Sequence, residues 1–321
     1  MGGQEQARHQ PPAALILLKQ YGAGGRLNIP SAFCFIPMNT NNVIRFTLAV
    51  LAGVGAALYA QRVVPASPKH DSGQSVSPAY EGWFQNPDGT YSLMFGYLNR
   101  NYQESVDVPV GPENKFEPGP EDRGQPTHFP PRRAWGVFTV TVPQDFGSSK
   151  LTWTLTANGE TISIPASLDP LWIVEPLKDA TNNTPPYLSF SEKGPFVQGP
   201  RGQSTALTAS VGTPLEIPLW VADDANVALG ATRPRTPPVV LLWNKFRGRG
   251  QVTFSNQRPP VQEAQFDAPP NTVFRGKAVT TATFSEPGDY VLHVIANDWS
   301  GEGGRGFVCC WTNAQVKVQV K

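Results

Sequence analysis

Cysteine and histidine are scarce in this chain, with three and four copies in 321 residues. No CxxC, CxxCH or HExxH spacing occurs, which excludes the common sequence-local zinc and haem sites. No GxSxG elbow occurs either, so a hydrolase nucleophile of that type is absent. Charged residues make up 16 %, against about 25 % in an average soluble protein. Long apolar runs are lacking, with one exception of 15 residues near the start. Sustained 3.6-residue periodicity is lacking too, and the 33 prolines explain why. Each internal proline removes a helix hydrogen bond and clashes with the turn before it. What is abundant is turn residues (30 glycines beside the prolines) and apolar ones, 40 % of the chain with eight Trp and seventeen Phe. That is ample material for a core. A turn-rich, mostly β protein is what remains.

The apolar exception is Phe46 to Ala60, FTLAVLAGVGAALYA. Arg45 precedes it, and Ala60 is a small residue suited to cleavage, the pattern of a secretory signal peptide. The run is shorter than the roughly 20 residues a spanning helix needs. Two readings stand, a cleaved leader and a retained N-terminal anchor. The residues before Met38 are unusual for a leader, and we expect 1–37 to reflect an over-extended gene start. The 1–60 segment holds four basic groups (Arg8, Lys19, Arg26, Arg45) and one acidic group, Glu5. Without it the formal charge of +1 becomes −2, from 22 basic and 24 acidic groups. A near-neutral body has no general attraction to nucleic acid or anionic surfaces. The expected location is therefore outside the cytoplasm: periplasmic, cell-surface or extracellular.

Beyond the leader the organisation is read as a linker over 61–79, a β-rich unit over 80–175, a Pro/Gly-rich connector over 176–204 and a second β unit over 205–321. In the first unit Asn86-Pro87-Asp88-Gly89 signals a turn. Phe138, Val140 and Val142 share one face, and Leu151, Trp153, Leu155 and Ala157 another, with threonines opposite. Asn158-Gly159 predicts a tight hairpin. In the second, Leu215, Ile217, Leu219 and Val221 alternate with other residues, and further strand-like runs follow to Val320. About seven short strands with regularly spaced turns predict an immunoglobulin-like sandwich. The fold class expected is all-β, two such sandwiches in tandem.

LLWNKFRGRGQVTFSNQ (Leu241 to Gln257) and ATFSEPGDYVLHVIANDWSG (Ala282 to Gly301) resemble bacterial PKD-type and cadherin-like Ig domains over roughly the last 120 residues. The resemblance implies a tyrosine corner at Tyr290, a core tryptophan at Trp243 and Leu292 in place of the second Ig cysteine. GWFQNPDGTYSLMFGYLNRN, DRGQPTHFPPRRAWGVFTV and LTWTLTANGETISIPASL resemble an uncharacterised block in secreted proteins of environmental bacteria, with no activity attached.

Candidate chemistry is concentrated in one loop. Asp122, Arg123, His128, Arg132, Arg133 and Trp135 lie between Glu121 and Trp135, and arginine forks beside flat aromatics suit recognition surfaces. The competing reading is that the arginines pair with local carboxylates and the aromatics fill the end of a sandwich. Asp223, Asp224 and Asp298 stand at strand ends. They read either as calcium ligands, as the cadherin-like resemblance implies, or as turn caps. His293 alternates onto the face opposite Leu292 and is expected at the surface, as are Trp220 and Trp299. Cys309 and Cys310, adjacent in a strand, point to opposite faces and are poorly placed to pair with each other. One is expected in the core. An exposed partner suggests an intermolecular bond, a strained vicinal disulfide or a surface edge. Lys317 and Lys321 are read as guards against strand addition at an exposed edge.

Catalytic residues are expected to be none, and no cofactor is expected apart from calcium at the aspartates. The function expected is an exported, non-enzymatic binding or structural module in adhesion, matrix or envelope assembly, with an envelope protein or polysaccharide as partner. The alternatives are a carbohydrate-binding module using Trp and Arg, and a hydrolase with dispersed carboxylates.

Overall fold

The computed structural model describes residues 69–179, 182–226, 237–298 and 310–321. The expected leader, Trp299 and Cys309 lie outside the described residues.

In the first half, β1 (Val76–Gln85), β2 (Tyr91–Asn99) and β6 (Arg132–Val142) form one antiparallel sheet in the order β1-β2-β6. Its partner is β4 (Asn114–Glu117), β7 (Leu151–Ala157) and β8 (Glu160–Ala166), while β3 (Val106–Asp107) pairs with β5 (His128–Phe129) at one end. The alternation read from sequence decides which faces meet. Leu93, Phe95, Phe138, Val140, Trp153 and Leu155 are all buried between the sheets with Phe116. The rings pack edge-on or stacked, with Phe95 and Phe138 centroids 5.4 Å apart. Asn158 and Gly159 take φ of 49° and 79°, the left-handed pair that a two-residue hairpin requires. β1 begins at Val76, inside the stretch read as linker. β1 carries Pro78, which it tolerates because it is an edge strand, where a missing N–H costs little.

The second half is a sandwich of β10 (Gln203–Ala209), β17 (Trp311–Val320), β16 (Gly288–Asp298) and β12 (Val239–Arg247), in that order, against a sheet built on β15 (Phe274–Phe284) and β11 (Leu215–Asp223). β9 (Tyr187–Ser189), β13 (Val252–Phe254) and β14 (Gln262–Glu263) complete the second sheet. Ile217, Leu219, Trp243, Leu292, Val294 and Val316 fill the core. Tyr290 is buried there. Its hydroxyl donates to the Glu286 carbonyl at 2.9 Å and accepts from the Gly250 N–H at 3.2 Å, which is how a tyrosine corner pins a turn. Lys317 guards no edge, because β17 is flanked by β10 and β16; Lys321 follows that strand. Cys310 is fully buried, as one of the pair was expected to be, and it is disulfide-bonded.

The two halves belong to a single packed body over 67–321. The outer face of the β1-β2-β6 sheet lies on the outer face of the β12-β16-β17 sheet, with Met94, Ile295 and Trp311 buried between them against Val174 and Leu242. The close approach is made at Gly136. It has φ 49°, and a Cβ there would fall 2.1 Å from the Trp311 ring. The Gly136 carbonyl accepts from Trp311 Nε1 at 3.3 Å and from Asn313 Nδ2 at 2.7 Å. This corrects the expectation for His293. It does point away from its own core, but the face it points to is covered, and it is buried with Nε2 3.0 Å from Asn313 Oδ1. A β-bulge between Lys245 and Arg247 turns Phe246 toward the first half, where it joins that core and its carbonyl accepts the Thr127 N–H at 3.0 Å.

Gly136→Ala should therefore destabilise the chain by about 2–4 kcal/mol, through left-handed strain and overpacking, and Trp311→Ala by about 3–5 kcal/mol. Urea unfolding with unchanged m-value would measure both. A Gly136→Ala loss below about 1 kcal/mol would mean that the interface is loose.

Candidate functional site

The candidate loop runs along the seam between the halves, because β5 and β6 rise from it beside β12. Its residues do not converge on one point. Asp122 accepts both Arg247 guanidinium nitrogens, at 2.7 and 2.9 Å, while Arg247 Nε donates to the Gln125 carbonyl. That bidentate pair ties the first half to the second. The Arg247 bonds, working against partial burial, hold the Asp122 carboxyl below the ordinary carboxylate value. Arg123 turns back on its own loop, its Nη2 donating to the Pro118 carbonyl at 3.2 Å.

His128 Nδ1 lies 2.8 Å from Asp107 Oδ1, and the buried Lys245 ammonium sits 3.3 Å from the same oxygen. Burial pulls Asp107 upward, yet the bonds and charges of His128 and Lys245 outweigh it and keep the carboxyl below its usual range. Lys245 also donates to the Gly250 carbonyl. His128 and Lys245 of this chain line a narrow cleft between the halves with Tyr97, Trp135, Asn244 and His293. The cleft measures about 50 Å³, room for a few water molecules but not for a sugar ring.

Arg133 is committed inward, its Nη2 bonding the nearly buried Glu81 carboxylate at 2.7 Å and its Nη1 the Tyr97 carbonyl. Its guanidinium also covers one face of the Trp135 ring at 3.7 Å, and Trp135 is 37 % exposed. Arg132 faces solvent. It has φ 73°, a conformation that costs a non-glycine residue of order 1–3 kcal/mol. Its guanidinium stacks on the Tyr102 ring at 4.0 Å, with Lys69 Nζ 5.2 Å from the same ring. Lys69 is the member that sequence reasoning missed, and Tyr102 ends the Asn99–Tyr102 stretch, which the sequence offers for the same surface without placing it there. They stand about sixty and thirty residues upstream, and only the end of β2 meeting the start of β6 brings them together. Of the residues read from sequence, Arg132 and Trp135 are exposed, Arg132 Nη1 also donating to the Arg100 carbonyl at 3.2 Å; Asp122 and His128 serve the seam, and Arg123 and Arg133 are bonded within the first half.

Trp153 and Trp243 are core residues, as expected. Trp220 is half-buried under Lys277, whose ammonium lies 4.8 Å from its ring.

The three aspartates gather at one end of the second half. Asp224 accepts from Thr184 N, Thr184 Oγ1 and Asn226 N, Asp223 Oδ2 from Ala225 N, and Asp298 Oδ2 from Asn183 Nδ2. Among the described residues no group of three acidic, histidine or cysteine side chains is arranged to hold a metal ion. Asp223 is fully buried. Burial first, then the charges of Asp224 and Asp298, push its carboxyl up to about 7 despite the Ala225 bond.

No family model matches the chain, and no curated protein does. Solved structures give distant likenesses. The ASH/PapD-like domain of human CEP192 is 14 % identical with a TM-score of 0.23, over 46 % of this chain and 93 % of that one. Domains 4 and 5 of the S-layer protein SbsC are 10 % identical with a TM-score of 0.22, over 77 % and 98 %. A family 123 glycoside hydrolase from Clostridium perfringens is 9 % identical with a TM-score of 0.22, over 37 % of this chain and 22 % of its own length. Likenesses this distant say nothing of activity or partner. Among the described residues no helix is long and apolar enough to cross a membrane.

The buried groups predict a pH profile. A carboxyl whose folded value is raised stabilises the fold while it is protonated, and that contribution is lost as pH rises through about 7. His293 runs the other way. Burial pushes its ring down to about 4, against the Asn313 bond, so the fold loses stability as pH falls from about 6.5 toward 4. The two offset each other between pH 4 and 6.5. Asp223→Asn should melt above wild type at pH 8 and lose stability on acidification where wild type stays flat. Thermal melts from pH 4 to 8 would check this. Millimolar calcium raising the pH 8 melt of wild type but not of the variant would place an ion in the cluster instead.

Proposed function

We propose that this is an exported, non-enzymatic binding or structural module of the cell envelope or extracellular space. The observation that carries the reading is how the titratable side chains of the seam are used. Lys245 with Asp107 and Arg247 with Asp122 brace the two sandwiches against each other, His128 holds Asp107, Asn313 bonds both His293 and the Gly136 carbonyl of the first half, and Arg133 is paired with Glu81 within the first half. A base or nucleophile for catalysis needs a reacting group within reach and room for it. The cleft beside these residues holds only water-sized molecules. A rigid pair of sandwiches suits a role as a spacer or adhesive element, with an envelope protein or polysaccharide as partner.

Carbohydrate binding is the second reading, favoured by the solvent-facing Arg132–Tyr102 stack and the exposed Trp135. Aromatic faces stack on sugar rings, and guanidinium forks bind carboxylate or sulfate groups on them. In that case the ligand lies along the surface and not in the cleft. Calcium at Asp223, Asp224 and Asp298 belongs to the proposal only as far as the melts above support it.

Co-sedimentation with a panel of insoluble polysaccharides and cell-wall material tests the two readings. Saturable binding reduced at least tenfold in both Arg132→Ala and Trp135→Ala, with melting unchanged, would favour the carbohydrate reading. No binding across the panel would favour a protein partner. Turnover of any of these polymers would overturn the non-enzymatic reading.

A further inference from the structure

The segment after β8 displays apolar side chains that are about half or more in water, although one edge of the Trp172 ring rests on Tyr80, with centroids 5.5 Å apart. Pro170–Trp172 is a single 3-10 turn, capped by Asp169 and burying none of its residues. Leu171 is 90 % exposed, Trp172 49 % and Ile173 53 %, with Leu177 at 45 % a turn further on. Together they leave on the order of 400 Å² of apolar side chain in water, as much as the largest patches that monomers usually carry. Its backbone, by contrast, is held in place. The Trp83 indole N–H donates to the Asp169 carbonyl, Tyr80 Oη to the Ser167 carbonyl and the Val174 N–H to the Trp83 carbonyl. Gly82 leaves room for the Trp172 carbonyl, which a Cβ would approach to 2.5 Å. The knob is therefore held rigid while its side chains face solvent.

We propose that Leu171, Trp172 and Ile173 form a knob that seats in the interfacial layer of a zwitterionic lipid bilayer. Three observations select this occupant. A 3-10 turn advances about 120° per residue, so Leu171 and Trp172 point in different directions around its axis, and Ile173 follows on extended backbone at the cap. A flat protein surface meets one or two of them, whereas fluid hydrocarbon surrounds all three. The area is about half of the 800 Å² that each partner buries in a stable dimer, which disfavours a second copy of the chain. The charges beside the knob, Asp169, Glu175 and Lys178, give no cationic excess, so anionic lipid has no claim on it. Indole rings beside aliphatic side chains are the groups that settle at headgroup depth. This inference is independent of the ligand surface at Arg132 and Trp135.

Tryptophan quenching by brominated phosphatidylcholine vesicles tests it on the full chain. The 46–60 apolar run contains no tryptophan, and any quenching it causes by tethering the chain to lipid is common to wild type and Trp172→Phe, so their difference reports the knob. Wild type should show a quenched fraction of its emission that is lost in Trp172→Phe and falls several-fold in Leu171→Ser/Ile173→Ser, with both variants melting like wild type. Equal fractional quenching in Trp172→Phe, or no quenching of wild type, would overturn the proposal. Self-association of wild type on concentration, abolished in the double serine variant, would also overturn it by showing a second copy on the knob.

Discussion

Everything on the seam depends on two sheets giving up their solvent faces to each other. The alternating pattern of each half is that of a sandwich with one wet side, yet Met94, Ile295 and Trp311 remove part of both wet sides from water. The contact is close because Gly136 has no side chain where the Trp311 ring lies, and its carbonyl serves two donors at once. Without that approach Asn313 and His293 would be ordinary surface residues, and the Asp122–Arg247 pair would have nothing to tie. The interface thus converts two modules into one body.

That conversion explains why so many charged groups of the candidate loop turned out to be occupied. Asp122 and Arg247 are 125 positions apart and the Thr127 N–H to Phe246 carbonyl bond is nearly as long-range. Such bonds fix the docking angle, since a guanidinium fork tolerates little rotation on a carboxylate. The groups left exposed are those on the rim, where Arg132 keeps an uncommon backbone conformation over Tyr102. The connector has a different character. It is pinned through its main chain and apolar through its side chains, which is the reverse of what a passive linker needs.

The core strands were legible because a period of two is local information. Leu151, Trp153 and Leu155, or Ile217, Leu219 and Val221, each name their own buried face. The hairpin at Asn158-Gly159 and the corner at Tyr290 were legible for the same reason, since a turn is chemistry within a few residues. The same rule misplaced His293, because alternation says which way a side chain points and not what it meets there. The composition of 61–79, read as linker, hid the start of β1 at Val76, as an edge strand tolerates a proline such as Pro78.

The sequence by itself determined the architecture: proline density ruled out helices, and alternating apolar faces required sandwiches. It also named Arg132 and Trp135, whose residue types suit a recognition surface wherever they lie. Only the tertiary structure decided that the halves share a buried interface, that Lys69 and Tyr102 join Arg132, and that Arg123 and Arg133 are turned onto carbonyl and carboxylate partners within the first half. The physical reason is range. Burial by one's own strand is written in nearest neighbours, whereas burial by another sheet, and pairing across a hundred residues, depend on a docking geometry that no local pattern encodes.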